Sequence, residues 1–129
     1  MKYKQHKGEY YITCFRPNLG NNHFFEKVKG NIFEVDDGNT TWKFGIHKTK
    51  DGYVITDIAS GIRASDYYKL KREAMEFFEE NEQAILDKVN KYMNSDKAYR
   101  NFVMELEEIY EKENAYDWKL FRHPCVCSC

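Results

Sequence analysis

The chain has 129 residues, 42% hydrophobic, 32% charged and 16% aromatic, with only two prolines. That is the size and make-up of one folded domain with its own core, and it argues against a disordered segment or two independent domains. The formal net charge of −1 hides a cancellation, because residues 1–72 carry thirteen Lys and Arg against eight Asp and Glu while residues 73–129 carry seven against thirteen; a uniformly basic nucleic-acid binder is disfavoured.

Residues 9–16 (EYYITCFR) are rich in aromatic and β-branched side chains and stop at the turn formers of residues 17–22 (PNLGNN), which predicts a strand and a loop. Two further strands are expected over 24–29 and 31–35, broken at Gly30, and Asp36-Asp37-Gly38-Asn39 supplies a hairpin turn. Over 41–47, Trp42, Phe44 and Ile46 alternate with Lys43, Gly45 and His47, the period of a half-buried strand. Lys50-Asp51-Gly52 turns the chain into a last strand over 53–58, completing an antiparallel meander of about four or five strands.

Residues 59–65 (ASGIRAS) read as a connector, with Ser65 or Asp66 placed to cap a helix. Leu70, Ala74, Phe77, Phe78, Ile85, Val89 and Tyr92 then fall near helical spacing, which predicts one long amphipathic helix over 66–93. Asn94-Ser95-Asp96 ends it and caps a second helix, over about 96–114, whose apolar stripe is Tyr99, Phe102, Val103, Leu106, Ile109 and Tyr110. The expected fold class is α+β in a single domain, 1–129. Residues 1–65 are mainly sheet, two C-terminal amphipathic helices (66–114) cover it, and 115–129 form a docking segment and tail.

No apolar run approaches the ~20 residues that cross a bilayer, and the start of the chain lacks a signal-peptide core, so a cytoplasmic setting and no membrane partner are expected. In a reducing compartment, clustered thiols are candidates for metal or redox chemistry rather than lasting disulfides. The final HPCVCSC holds three of the four cysteines and suits a structural Zn²⁺ site, with His123, Cys125, Cys127 and Cys129 as ligands. Residues two apart in a strand are separated by nearly ~7 Å, too far to share one ion unless the tail coils. Two or three tail ligands plus Cys14 from the first strand are therefore expected, with His123 and His23 in reserve. An unoccupied tail or redox use are the competing readings of the same motif.

The helical half is studded with carboxylates. Glu76, Glu79 and Glu80 on the first helix and Glu105, Glu108 and Glu111 on the second are candidates for an anionic surface that docks on a basic partner. The blander reading is a solvated helix face. Lys2, Lys4, Lys7, Arg16, Lys27 and Lys29, interleaved with Tyr3, Tyr10, Tyr11 and Phe15, offer a weaker candidate for single-stranded nucleic acid. Asp57 and Ser60 near Gly61 only faintly resemble a catalytic loop, and a turn accounts for Ser60-Gly61. No P-loop, GxSxG, dinucleotide fingerprint or paired-carboxylate motif is visible, and the expectation is a protein that is not an enzyme.

The short meander followed by charged helices, with Trp42-Lys43-Phe44-Gly45-Ile46-His47 leading into the run from Gly52-Tyr53-Val54 to Ser60-Gly61, resembles small anti-CRISPR proteins of Gram-positive phages and mobile elements. The likeness spans roughly residues 8–113. Such proteins share neither one fold nor one set of functional residues, so it assigns no site. What the resemblance implies is a stoichiometric Cas9 inhibitor acting in the bacterial host cytoplasm. It would bind Cas9 or its guide-RNA complex and hinder nucleic-acid loading or activation, with no direct nucleic-acid contact. The alternative is a small nucleic-acid-binding or regulatory protein of a mobile element.

Overall fold

The computed structural model describes residues 3–16 and 22–113. Five strands, β1 (Gln5–Phe15), β2 (His23–Asp36), β3 (Thr41–Thr49), β4 (Gly52–Asp57) and β5 (Ile62–Arg63), precede three helices, α1 (Lys71–Glu80), α2 (Glu82–Ser95) and α3 (Lys97–Lys112). The strands form one antiparallel sheet in chain order. The α+β class with strands first is as expected.

Residues directly opposite in an antiparallel pair point to the same face. The register Gln5↔Phe33, Phe33↔Phe44 and Phe44↔Asp57 therefore defines a face that the helices cover. Phe78 of α1 stands edge-on to Phe33 and Phe44 at ring separations of 5.0 and 4.8 Å, and Tyr3 closes the cluster at 5.3 Å from Phe78. Burying a side chain such as Phe78, which has no exposed surface, contributes about 1.5–3 kcal/mol. Toward the other end of β1, α3 runs antiparallel to the strand. Phe102 packs on Phe15 and Tyr110 on Tyr11, and the ~12 Å between those helical positions matches the ~13 Å between the strand positions. The Tyr110 hydroxyl oxygen also accepts from the Tyr11 amide at 2.9 Å, which ties α3 to the backbone of β1.

The opposite face departs from the expected half-buried pattern, for Lys43, Gly45 and His47 are all buried. The sheet curls until Thr13 of β1 meets the turn before β5, its amide donating to the Gly61 carbonyl at 2.9 Å and its hydroxyl to the Ser60 carbonyl at 2.8 Å. Tyr10 then lies across β3, its hydroxyl 3.1 Å from Nδ1 of His47. A Cβ at Gly45 would sit 2.3 Å from the Tyr10 ring, so glycine is what admits the ring. Gly30, expected to break a strand, lies within the continuous β2. A side chain there would fall 2.2 Å from the Ile46 carbonyl oxygen, so its absence lets β2 and β3 approach.

Among the described residues, three helices stand where two were expected. Residues 64–68 extend the sheet edge instead of starting a helix: the Ala64 amide donates to the Ile55 carbonyl, and Tyr53 and Tyr68 exchange both backbone hydrogen bonds. Ser65 is not a helix cap, because its hydroxyl accepts from the Ile55 amide at 2.9 Å and is thereby committed to the sheet. Helix α1 starts later, with the Glu73 carboxylate accepting from the Leu70 amide. It ends at Asn81, whose side-chain amide donates to the Phe77 carbonyl at 2.9 Å and competes for the helix's own acceptors. Apolar spacing continues across this break, so periodicity alone does not reveal it. Asp96 caps α3 as expected, accepting from the Tyr99 amide at 3.0 Å.

Candidate functional site

His123, Cys125, Cys127 and Cys129 lie outside the described residues. Their proposed partner Cys14 sits on β1 opposite Phe24, half-buried, with its thiol 3.8 Å from a Glu26 carboxylate oxygen. Burial, and then the Glu26 charge, raise its pKa, so a metal would have to displace a tightly held proton. The reserve ligand His23 does not join it. His23 pairs with Phe15 and so projects to the face opposite Cys14, where its ring packs on Phe102 and Nε2 lies 3.1 Å from Glu105. Among the described residues, no group of three or more His, Cys, Asp and Glu side chains is arranged to hold a metal ion.

Glu76, Glu79, Glu80, Glu105, Glu108 and Glu111 are all exposed. They sit on two separate helices, α1 packing beside Tyr3 and α3 beside Tyr11. On α3, Glu105 engages His23, and the neighbouring Glu113 pairs with Lys27 at 3.2 Å and accepts from the Tyr11 hydroxyl. Glu108 and Glu111 remain on the outer side with Met104, which is 60% exposed, in the i, i+4, i+7 relation of one helical ridge. In the aromatic and basic strip near the N-terminus, Lys4, Lys7, Lys27 and Lys29 are exposed, and the aromatics divide. Tyr3 and Tyr10 are buried, and Arg16 is stacked over Phe24 at 4.4 Å.

An enclosed polar cluster forms at residues that the sequence marked as a turn with only a faint likeness to a catalytic loop. Asp57 ends β4 and is 2% exposed. Its Oδ2 accepts from the Ser60 hydroxyl at 2.8 Å and from the hydroxyl of Tyr99 on α3. The turn is tight because Gly61, at φ +73°, returns its amide to the Asp57 carbonyl at 2.7 Å. Burial pushes the Asp57 carboxyl up to about 6 against the pull of the Tyr99 and Ser60 hydrogen bonds. The amides of Ala59 and Ser60 also favour the charged form, while Oδ1 makes no hydrogen bond of normal geometry among the described residues. Burial, and then the Asp57 charge, raise the Tyr99 hydroxyl far above the usual phenol range. Through its hydrogen bond with Tyr99 the enclosed carboxylate ties α3 to the end of β4. The signal that would have found it was the Asp57-x-x-Ser60-Gly61 spacing together with the polar end of Tyr99 in an apolar stripe.

Two cavities flank β5. One, of about 310 Å³, opens between the sheet edge and α2 above Asp57 and Tyr99. The other, of about 590 Å³, lies on the concave side of the sheet and includes Cys14, His47, Thr56, Arg63 and Tyr67. Burial lowers the His47 pKa, which leaves a neutral ring at pH 7 tied to Tyr10. No protein-family model, curated protein or solved structure matches this chain.

Proposed function

We propose that the protein is a non-enzymatic, anti-CRISPR-type inhibitor that binds Cas9 in the host cytoplasm and hinders nucleic-acid loading or activation. The observation that supports this reading is the outer ridge of α3, where exposed Met104 is flanked by Glu108 and Glu111 on a helix pinned to the sheet along its other side. A rigid anionic ridge with one apolar contact point suits the basic channels through which Cas9 handles its guide and target strands. Zinc held by His123, Cys125, Cys127 and Cys129 with Cys14 belongs to the same proposal as a structural clip, not a reaction centre.

Size-exclusion and titration calorimetry with Cas9, with and without guide RNA, test it. A stoichiometric complex that weakens with salt is expected. The double substitution Glu108→Lys and Glu111→Lys, which spares the Glu105–His23 contact, should weaken it by about tenfold or more. Absence of a complex overturns the function, and unchanged affinity of the double variant removes the ridge from it.

A further inference from the structure

The curl of the sheet shapes a cavity on its concave side. Tyr10 fills the middle of that side, lying across Gly45 with its hydroxyl on Nδ1 of His47. Beyond it the concave side stays open as the cavity of about 590 Å³, in the middle of the range for organic-ligand sites. The two hydrogen bonds of Thr13 hold β1 to the turn before β5 and so close one wall. Ile12 and Val54 supply apolar lining, and Phe15 and Tyr67, 56% and 44% exposed, supply rings.

Among the described residues that line this cavity, Arg63 alone carries a formal charge. The register Gly45↔Thr56↔Arg63 puts its side chain on the face occupied by Tyr10, and its guanidinium lies over the Tyr67 ring at 5.1 Å. It has no carboxylate partner among the described residues. Glu26, which accepts from the Cys14 thiol, is exposed on β2 with β1 between it and β5, so its charge acts on Arg63 across a strand and through solvent. Nδ1 of His47 is taken by Tyr10, which leaves Nε2 as an uncharged hydrogen-bonding edge for an occupant. A planar guanidinium fork held in place by a ring matches a carboxylate better than any other common group.

We propose that the concave cavity binds a small aromatic monocarboxylate, its acid paired with Arg63 and its ring against Ile12 and Val54. The site shares no residue with the α3 ridge and is independent of Cas9 binding. An occupant would touch β1, β4 and β5 together, and so would hold the curl that brings the two edges of the sheet to each other.

Titration calorimetry of the full chain with naphthaleneacetate and with naphthaleneacetamide, which has the same body without the charge, tests it. Saturable one-to-one binding of the carboxylate is expected, with the amide about tenfold weaker or worse. Arg63→Met, at an exposed position, should bring the carboxylate down to the affinity of the amide and leave the amide unchanged. Lys88→Glu, in the cleft beside α2, should change neither. Ile12→Trp, which fills the cavity, should remove both. Equal affinity for the two compounds, carboxylate binding untouched by Arg63→Met or weakened as much by Lys88→Glu, binding retained by folded Ile12→Trp, or no saturable binding would each overturn the proposal. Should Ile12→Trp fail to fold, as read by far-ultraviolet circular dichroism, the Arg63 and Lys88 comparisons decide.

Discussion

Replacing Asp57 by asparagine tests whether a buried carboxyl sets the pH dependence of stability. In the unfolded chain this group titrates near 3.8, and in the folded protein at about 6. The native state therefore holds the proton more tightly, so the stabilisation is fully present below pH 3.8, is lost as pH rises through about 6, and is constant above that. A displacement of about two units corresponds to about 3 kcal/mol. The amide in the Asp57→Asn variant keeps the volume and still offers an oxygen to Tyr99 and Ser60, but it cannot titrate. Urea unfolding of both proteins at intervals from pH 4 to pH 8 gives the stability difference, wild type minus variant. It should fall by about 2 kcal/mol between pH 4 and pH 7, the rest of the effect lying below pH 4, and then level off, with unchanged denaturant slopes. Removing the Tyr99 hydroxyl as Tyr99→Phe withdraws a hydrogen bond that favours the charged form, so the upper end of the window should move to higher pH. A difference that is flat or rises with pH would refute the reasoning.

Gly30→Ala places a methyl group 2.2 Å from a backbone oxygen that cannot swing aside, and should cost about 1–3 kcal/mol in chemical denaturation. Gly38→Ala, with nothing within 4 Å of the new atom but a φ of +96°, should cost only about 1 kcal/mol of backbone strain; equal costs would remove the close-approach argument. Elemental analysis of tag-free protein should find about one zinc per chain, reduced to trace by Cys125→Ser with Cys127→Ser. Zinc retained by those variants would dispose of the tail site, and zinc retained by Cys14→Ser would dispose of the body ligand.

The meander was legible because each of its turns carries local chemistry, and the hairpin at Gly38 is one case: Asp36 and Asp37 accept from the amides that follow them. The curl of the sheet was not legible. It depends on Tyr10 meeting Gly45, two residues 35 positions apart whose patterns look ordinary separately. Alternation on β3 read as half-exposed because period alone does not say whether a second layer covers the polar side. The break at Asn81 was hidden for a different reason, since Ile85 and Val89 of α2 continue the apolar spacing of α1. The Asp57 cluster escaped because its third member, Tyr99, sits 42 residues away and reads as core.

Charge asymmetry between the two halves of the chain is the feature that the fold reinterprets most. A basic first half and an acidic second half suggest a bipolar molecule offering two surfaces to two partners. Instead α3 lies along β1 so that some carboxylates meet the basic strands: Glu105 of α3 reaches His23, Glu113 just past its end reaches Lys27, and, from the start of α2, Glu82 accepts from Tyr3. Part of the asymmetry is therefore satisfied within the domain, holding helices to the strands that carry the opposite sign. Exposed pairs of this kind stabilise little because solvent screens them, and the apolar contacts of Phe102 and Tyr110 do more. Their effect is orientation, because a helix held by Glu105 and Glu113 on one side must present Glu108 and Glu111 on another. Counting carboxylates in the second half thus overstates the surface left for a partner, and the helix phase decides which of them remain.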